Sequence, residues 1–296
     1  MTAKHILHML SPAKHASPFD INMALDAGFD SVTPFVNVTL EDVVPLVQDA
    51  MFSRPPGHAA RTGIFVGGKD ALLALDMLAA AKAALLPPFE ISLFADPAGS
   101  FTTAAAMVAC VEKLLKTRQR GLQGLKIVVF GATGVVGFSS AVIAALEGAQ
   151  VTLAGHDGAA RVGKSAAEIQ KRFNVATSFA DASTDALKMA LLAEAEVAFC
   201  AGRAGLQILS ATQVAAAKNL IVAADVNAVP PAGIEGLGMM DNGSALGGGH
   251  VLGLGPLAIG NVKYQTEAGL FRAMTQASAA QCYDFRNAFA LARTLV

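Results

Sequence analysis

The segment 125–148, LKIVVFGATGVVGFSSAVIAALEG, constrains this chain more than any other. A five-residue apolar run ends in Gly131-Ala132-Thr133-Gly134-Val135-Val136-Gly137, and a helix-forming stretch follows without a break. An apolar run without polar alternation reads as a strand buried on both faces, which requires a parallel sheet with helices packed over it. Glycine at the turn permits backbone angles closed to other residues, and a residue without a side chain lets the backbone approach a bound group. The helix N-terminus then supplies amide donors and partial positive charge. With a strand before it and a helix after it, GxxGxxG is a candidate pyrophosphate cradle; the plainer reading is a tight turn in a parallel sheet.

The same alternation occupies the rest of the chain. HILHML (5–10) reads as a strand, and SPFDINMALDAG (17–28) as a helix capped by Ser17, with Pro18 at its first position and Gly28 past its end. SVTPFV follows as a strand, then LEDVVPLVQDAMFS as a helix capped by Thr39, with Pro45 marking a kink or its first turn. RTGIFVGG (61–68) is a third strand, KDALLALDMLAAAKAALL a helix stopped by Pro87-Pro88, and FEISLFAD a fourth strand. The stretch 102–119 reads as a helix long enough to reach from one domain to another. Beyond the glycine turn, QVTLAG (150–155), EVAFCAG (196–202) and LIVAADV (220–226) read as later strands separated by amphipathic helices. The glycine-rich 233–257 segment reads as a long loop near the site, and helices at roughly 262–277 and 279–295 close the chain.

The expected fold class is therefore α/β with two domains. An N-terminal α/β substrate domain spans 1–105 with 275–296, and a Rossmann-type doubly wound parallel sheet, the NAD(P)-binding domain, spans 106–274. A C-terminal helix returns to the first domain.

Composition removes several function classes. With 53% apolar and 15% charged residues, against roughly 25% charged in an average domain, the chain has too much to bury to be disordered. The low charge fits helices close-packed on a buried sheet or a subunit of a homo-oligomer. Its 22 basic and 23 acidic residues give a net charge of −1, which offers no electrostatic case for nucleic acid or an anionic membrane. Apolar runs such as AAAMVACV (104–111) stop short of the roughly 20 residues a membrane span needs, and the N-terminus lacks a secretory apolar core. Cys110, Cys200 and Cys282 have no CxxC spacing, so neither a disulfide framework nor a metal site is expected, and a reducing cytoplasmic location fits.

A Rossmann unit places an acidic residue about 20 residues beyond the glycines, at the end of its second strand, to accept the ribose hydroxyls. Here that strand ends Ala154-Gly155-His156-Asp157-Gly158. Asp157 suits a ribose of NAD, while His156, Arg161 and Lys164 suit the 2′-phosphate of NADP, so use of either as a dissociable co-substrate is expected. Cys200-Ala201-Gly202 and the pair Asp225 and Asn227 end strands at the same sheet edge and are candidates to line the nicotinamide pocket. Cys200 also has the plainer reading of a small buried apolar residue.

Six strings carry a family resemblance: SPFDINMALDAGFD, RTGIFVGGKD, ADPAGSFTTAAAMVA, GATGVVG with ALEGAQVTLAGHDG, ADVNAVPPAGI and GPLAIGNVKYQTEAGLF. Together, and in order over nearly the whole chain, they resemble the bacterial NAD(P)-dependent methylene-tetrahydromethanopterin dehydrogenases of one-carbon (formaldehyde) oxidation, related to the methylene-tetrahydrofolate dehydrogenases of methylotrophs. The resemblance implies oxidation of a methylene bridge on a reduced pterin carrier to the methenyl form, with hydride passing to a nicotinamide, and an interdomain pterin site. The absence of a catalytic triad, an HExxH motif or paired carboxylates agrees with that chemistry. A hydride leaving a carbon flanked by two nitrogens gives a cation stabilised by their lone pairs, so the protein has mainly to align the reactants and exclude water.

By the same resemblance, a lysine near the pterin maps onto Lys263 and an aspartate onto Asp20. A cation beside a forming cation opposes the reaction, so Lys263 is expected to bond a pterin carbonyl at some distance or to lose its proton on burial. Phe19 suits stacking on the ring, and Asp96, Ser100, Thr102 and Thr103 suit a cleft wall, with N-capping as the plainer reading of Thr102 and dipole complementarity that of Asp20. Phe35 and Asn37 are weaker pterin candidates. Relatives restricted to NADP carry Gly-Arg where this chain has Gly155-His156, which argues against strict NADP use. The alternatives are a methylene-tetrahydrofolate dehydrogenase, a shikimate-dehydrogenase-like oxidoreductase built on Lys69 and Asp96, and a redox sensor that binds NAD(P) without turnover.

Overall fold

A computed structural model describes residues 3–296. Its elements run β1 (Ile6–Leu10), α1 (Pro18–Asp26), β2 (Ser31–Phe35), α2 (Val43–Phe52), β3 (Thr62–Val66), α3 (Ala71–Ala83), β4 (Ser92–Ala95) and α4 (Ser100–Thr117). They continue with β5 (Lys126–Phe130), α5 (Val135–Leu146), β6 (Gln150–Gly155), α6 (Ala159–Phe173), β7 (Ser178–Asp181), α7 (Asp185–Glu194), β8 (Val197–Cys200), α8 (Ala211–Ala216) and β9 (Val222–Asp225). The last are β10 (Asn242–Leu246), β11 (Val251–Leu254), α9 (Pro256–Gln276), β12 (Cys282–Tyr283) and α10 (Phe285–Leu295). The chain divides into two units: one runs through Thr102 and resumes at Tyr264–Leu291, the other comprises Thr103–Lys263 and Ala292–Val296.

In the first unit five parallel strands are ordered β12-β4-β3-β1-β2. Strand β3 is buried at every position, as a central parallel strand must be, whereas β2 is an edge strand and tolerates Pro34. Three rings, Phe65, Phe94 and Phe271, meet with centroids 5.2–5.3 Å apart and tie α9 into this core. Ser17 caps α1 through the amide of Asp20, with Pro18 at the first position, as the sequence predicts. Helix α2 starts later than its apolar pattern suggests, because the Asp42 carboxylate takes the Thr39 amide and hydroxyl, both at 2.7 Å, and closes a turn ahead of it. Thr39 is therefore not its cap, and Pro45 falls harmlessly in the first turn. The final helix also begins later than predicted, since 282–283 add a short strand beside β4. Most of α10, through Leu291, belongs to this first unit, in line with a returning C-terminal helix.

The second unit holds a seven-stranded sheet ordered β10-β11-β9-β8-β5-β6-β7, parallel except for β10. From β5 the chain winds outward through β6 and β7, then returns to the other side of β5 to lay down β8, β9 and β11. This is the 3-2-1-4-5-6 order of the Rossmann fold, with its switch point between β5 and β8. Residues Ile127–Phe130 are each at most 4% exposed, which accounts for the unbroken apolar run.

The 233–257 segment is not a long loop as its glycine content suggests: β10 and β11 form an antiparallel hairpin there. Gly247, Gly248 and Gly249 all have positive φ and build its turn, so the glycines are concentrated where the hairpin reverses. Helical residues Pro97–Thr117 are long and apolar enough to cross a membrane by length and composition, a property that run-length reading missed; 78% of the most apolar stretch is buried inside the protein.

Candidate active site

In the second unit a cleft of about 530 Å³ opens at the C-terminal ends of β5, β6 and β8, at the switch point. The glycine turn forms its floor. Gly131 has φ +79°, and a Cβ there would collide with the Ala201 backbone beyond β8. Gly137 lies just as tightly on the Gly131 backbone, so these two glycines are needed for the turn to close at all. Gly134 differs: a Cβ there would meet its nearest atom at 3.4 Å, an ordinary contact, so packing does not explain the glycine. It is the N-cap of α5 and offers no side chain to the helix's first amides, which belong to Val135, Val136 and Gly137. Gly134 and Thr133 line the cleft. The arrangement fits the pyrophosphate of a dinucleotide, which would occupy the helix N-terminus and the close approach that Gly134 leaves open.

At the end of β6, Asp157 and Arg161 form an ion pair at 2.8 Å, and a second Arg161 nitrogen donates to Thr133 Oγ1 at 3.5 Å. The hydrogen bond from Arg161, followed by its charge and that of His156, holds the Asp157 carboxyl below its ordinary range. His156 is exposed, with Nδ1 4.0 Å from Asp157, and Lys164 is exposed on α6 one turn beyond Arg161. These four residues form one patch beside the turn.

Ala201 and Gly202 line the cleft, but the Cys200 side chain is fully buried in the apolar core under the sheet. Burial, with the Asp225 carboxylate adding to it, pushes the Cys200 thiol well above its ordinary value, so it is a packing residue. Asp225 is also fully buried, which raises its carboxyl pKa against the pull of its backbone donors. It accepts from the amides of Asn227 at 3.0 Å and Gly233 at 2.7 Å. Asn227 in turn accepts from the amides of Gly205 and Val229 and donates to the Pro231 carbonyl. Both residues brace loops at the cleft and are not among its lining residues.

Of the remaining candidates, Phe19 and Asp20 follow β1 and Asp96, Ser100 and Thr102 follow β4 in the first unit, while Thr103 and Lys263 belong to the second. Asp20 is buried in the first turn of α1, and the neighbouring Phe19 is 48% exposed and meets the exposed Tyr264 ring edge-on at 6.4 Å. Asp96 is fully buried and serves α4: its oxygens accept from the Phe101 amide at 2.7 Å, the Thr102 amide at 3.3 Å and the Thr102 hydroxyl at 2.5 Å. Asp96, not Thr102, is thus the helix cap, and both are occupied with each other; Ser100 and Thr103 are half-buried. Asn37 has the left-handed φ of a turn residue, and Phe35 packs against His8. Lys263 is half-buried on α9, one turn before Glu267, which is fully buried.

Sequence reasoning named Ala201 and Gly202 after β8 but missed Arg203, the last of the three to line the cleft. The signal for the last was present: CAGRAG repeats, after another strand, the small-residue exit of the glycine turn.

Two α/β units, one with Rossmann order and an uncapped glycine turn at its switch point, are the architecture of a two-domain, dinucleotide-binding α/β protein. Among solved structures the fold is similar to shikimate 5-dehydrogenase from Listeria monocytogenes, with a TM-score of 0.53 at 14% identity over 93% of both chains. It is similar to the same degree to 5-ketofructose reductase of Gluconobacter sp., with a TM-score of 0.53 at 16% identity over 99% of both. Sequence narrows the class. Residues 18–98 match the family profile for the N-terminal part of methylene-tetrahydromethanopterin dehydrogenase. The chain is 52% identical to the NAD(P)-dependent methylenetetrahydromethanopterin dehydrogenase of Methylorubrum extorquens over 98% of each protein. It is also 32% identical to the bifunctional protein MdtA of the same organism over 99% of each. The chain belongs to the methylene-tetrahydromethanopterin dehydrogenase family.

Proposed function

We propose that the protein oxidises methylene-tetrahydromethanopterin to the methenyl form with NAD⁺ or NADP⁺ as a dissociable co-substrate. The observation that carries this reading is the 52% identity across 98% of both chains to an enzyme of that name, in a chain whose glycine turn has an uncapped helix end open to a cleft. A nicotinamide held in the cleft would supply the hydride acceptor; the C–H bond of the methylene bridge would break with both electrons leaving on the hydride, and the carrier would be left as an amidinium cation.

The chain's own residues bind, orient and keep water out. The α5 amides and Gly134 hold the pyrophosphate, and the Asp157–Arg161 patch takes the adenosine ribose. Asp157 accepts ribose hydroxyls, and Arg161, His156 and Lys164 surround a 2′-phosphate, which gives the site use for either cofactor. On the pterin side, the exposed Phe19 ring stacks on the carrier and Asp20 accepts from its amino group. Lys263 is a positioning group for the pterin carbonyl. Ser100 and Thr103 remain candidates for polar contacts, while Asp96 and Thr102 act by holding the start of α4.

Against a shikimate-type reaction stands the state of the residues it would need. The Asp96 carboxylate accepts from the Phe101 and Thr102 amides and the Thr102 hydroxyl at the start of α4, as a helix cap, and Lys69 is exposed. The decisive assay supplies methylene-tetrahydromethanopterin and methylene-tetrahydrofolate in parallel, each with NAD⁺ and NADP⁺, and follows the reduced nicotinamide at 340 nm. Reduction with the methanopterin carrier is expected. Turnover of shikimate with neither carrier used, or cofactor binding without any turnover, overturns the proposal.

A further inference from the structure

We infer that Arg203 is the side chain that neutralises the pyrophosphate of the cofactor, and that the buried Asp225 and Asn227 exist to hold it in place. This rests on the reading of the cleft as a dinucleotide site.

The argument starts from charge. Among the described residues no carboxylate lines the cleft, while His156, Lys188 and Arg203 do. A cavity lined by a lysine, an arginine and an imidazole, with no carboxylate, suits an anion. Two of the basic groups around it are already committed. Lys188 Nζ donates to the Ile208 carbonyl at 3.1 Å and lies 3.5 Å from Asp185, and Arg161, paired with Asp157 at 2.8 Å, belongs to the β6 side assigned to the 2′-phosphate. Arg203 is exposed on the loop immediately after β8, two residues beyond Ala201, whose backbone abuts Gly131. Arg203 thus follows β8 on the side of the glycine turn where the pyrophosphate would sit, whereas a 2′-phosphate would sit at the end of β6. A planar fork of donors suits two adjoining phosphates better than an ammonium does.

The second half concerns the loop. A charged residue on a free loop loses much of its binding energy to ordering. Here Asn227 Oδ1 accepts from the Gly205 amide at 3.2 Å, and Asp225, fully buried, fixes Asn227 through its amide at 3.0 Å. The Ile208 and Leu209 amides both reach the Gly233 carbonyl, at 2.7 and 3.0 Å, and the Gly233 amide returns to Asp225 at 2.7 Å. The 203–209 loop is thus pinned at both ends to one buried carboxylate. Asp225 and Asn227, which the sequence offers as nicotinamide contacts, become positioning residues for Arg203.

The test measures binding by calorimetry, with ADP-ribose, NAD⁺ and NADP⁺ as probes and no turnover required. Arg203→Gln, at an exposed position, is expected to weaken all three about tenfold, leaving the NADP⁺/NAD⁺ ratio unchanged, and Arg203→Lys to recover part of the loss. Asn227→Ala is expected to weaken ADP-ribose in the otherwise unaltered protein and to add little in the Arg203→Gln background, because both changes remove one interaction. Unchanged ADP-ribose affinity in Arg203→Gln overturns the inference, as does a loss confined to NADP⁺, which would place Arg203 on the 2′-phosphate. Fully additive losses in the double variant overturn the bracing role. If the unaltered protein binds none of the three probes, the dinucleotide reading itself falls, and this inference with it.

Discussion

Arg161 links the end of the second Rossmann strand to the glycine turn: it pairs with Asp157 at 2.8 Å and reaches Thr133 Oγ1 at 3.5 Å. A carboxylate and a guanidinium sharing that position serve opposite ligands. In the proposed reading the acid would partner the ribose diol of NAD and the arginine the 2′-phosphate of NADP. Arg161→Gln is therefore expected to weaken NADP⁺ about tenfold and NAD⁺ by no more than twofold, on the scale of one charge-assisted contact. His156→Ala should move affinities in the same direction by less. Titration of both cofactors at two salt concentrations checks this; an equal loss for both would remove Arg161 from the 2′-phosphate. The pair is exposed, so neither change should alter the melting temperature measurably.

The glycines of the turn separate folding from binding. Gly131→Ala places a methyl on the Ala201 backbone at φ +79° and is expected to destabilise the fold by about 1–3 kcal/mol. Gly134→Ala meets only ordinary contacts, so it should melt like the unaltered protein yet bind NADP⁺ about tenfold more weakly. A melting curve and a cofactor titration on each variant are sufficient. Tight binding by Gly134→Ala would reduce that glycine to a turn residue.

Lys263→Ala is expected to lower kcat about a hundredfold, the scale of a lost positioning contact, with the affinity for NADP⁺ nearly unchanged. Single-turnover measurement with saturating carrier distinguishes this from a binding defect. An unaltered turnover number would take Lys263 out of the site.

The thiols make a pH-dependent prediction. Burial pushes Cys110 up to about 11, and Cys200 and Cys282 are raised by burial as well. A raised thiol pKa means the unreactive protonated form persists as pH rises, so at pH 8 only about one Cys110 in a thousand is thiolate. Ellman's reagent should label the native protein slowly at pH 8, faster as pH climbs, and all three cysteines at once in denaturant. A rapid burst from one thiol in the native protein would contradict this placement.

What could be read from sequence follows from how many physical demands fall on one residue. Gly131 and Gly137 answer to a positive φ or a backbone contact that no other residue accepts, so their spacing was legible, as were the buried parallel strands around them. The hairpin at 242–254 was not, because its glycines report a reversal and its short strands carry few of the branched residues that mark a strand. Strand β7 escaped notice for a related reason: at the sheet edge, half-exposed, Ser178–Asp181 has no apolar run to display. Among site residues, Asp96 and Asp225 were placed at the correct strand ends, but sequence cannot tell an acid that faces a ligand from one that faces its own backbone. Arg203 lies at the opposite extreme, since an arginine in a loop resembles any solvated charge until the cleft around it is seen to hold no anion.

The edge strand β12 has a consequence in time. It pairs with β4, and the Gln281 amide reaches the Ser92 hydroxyl across 189 residues of chain, while Phe271 completes the ring cluster of Phe65 and Phe94. At a synthesis rate of about 5–20 residues per second, the first four strands wait roughly ten to forty seconds for the segment that closes their sheet. The intervening Rossmann unit has almost all of its chain by then. The strands made first thus wait for nearly the last segment made, and loss of residues 277–296 would remove both the edge strand of the N-terminal sheet and Arg293, which pairs with Glu112 and Glu147 of the second unit.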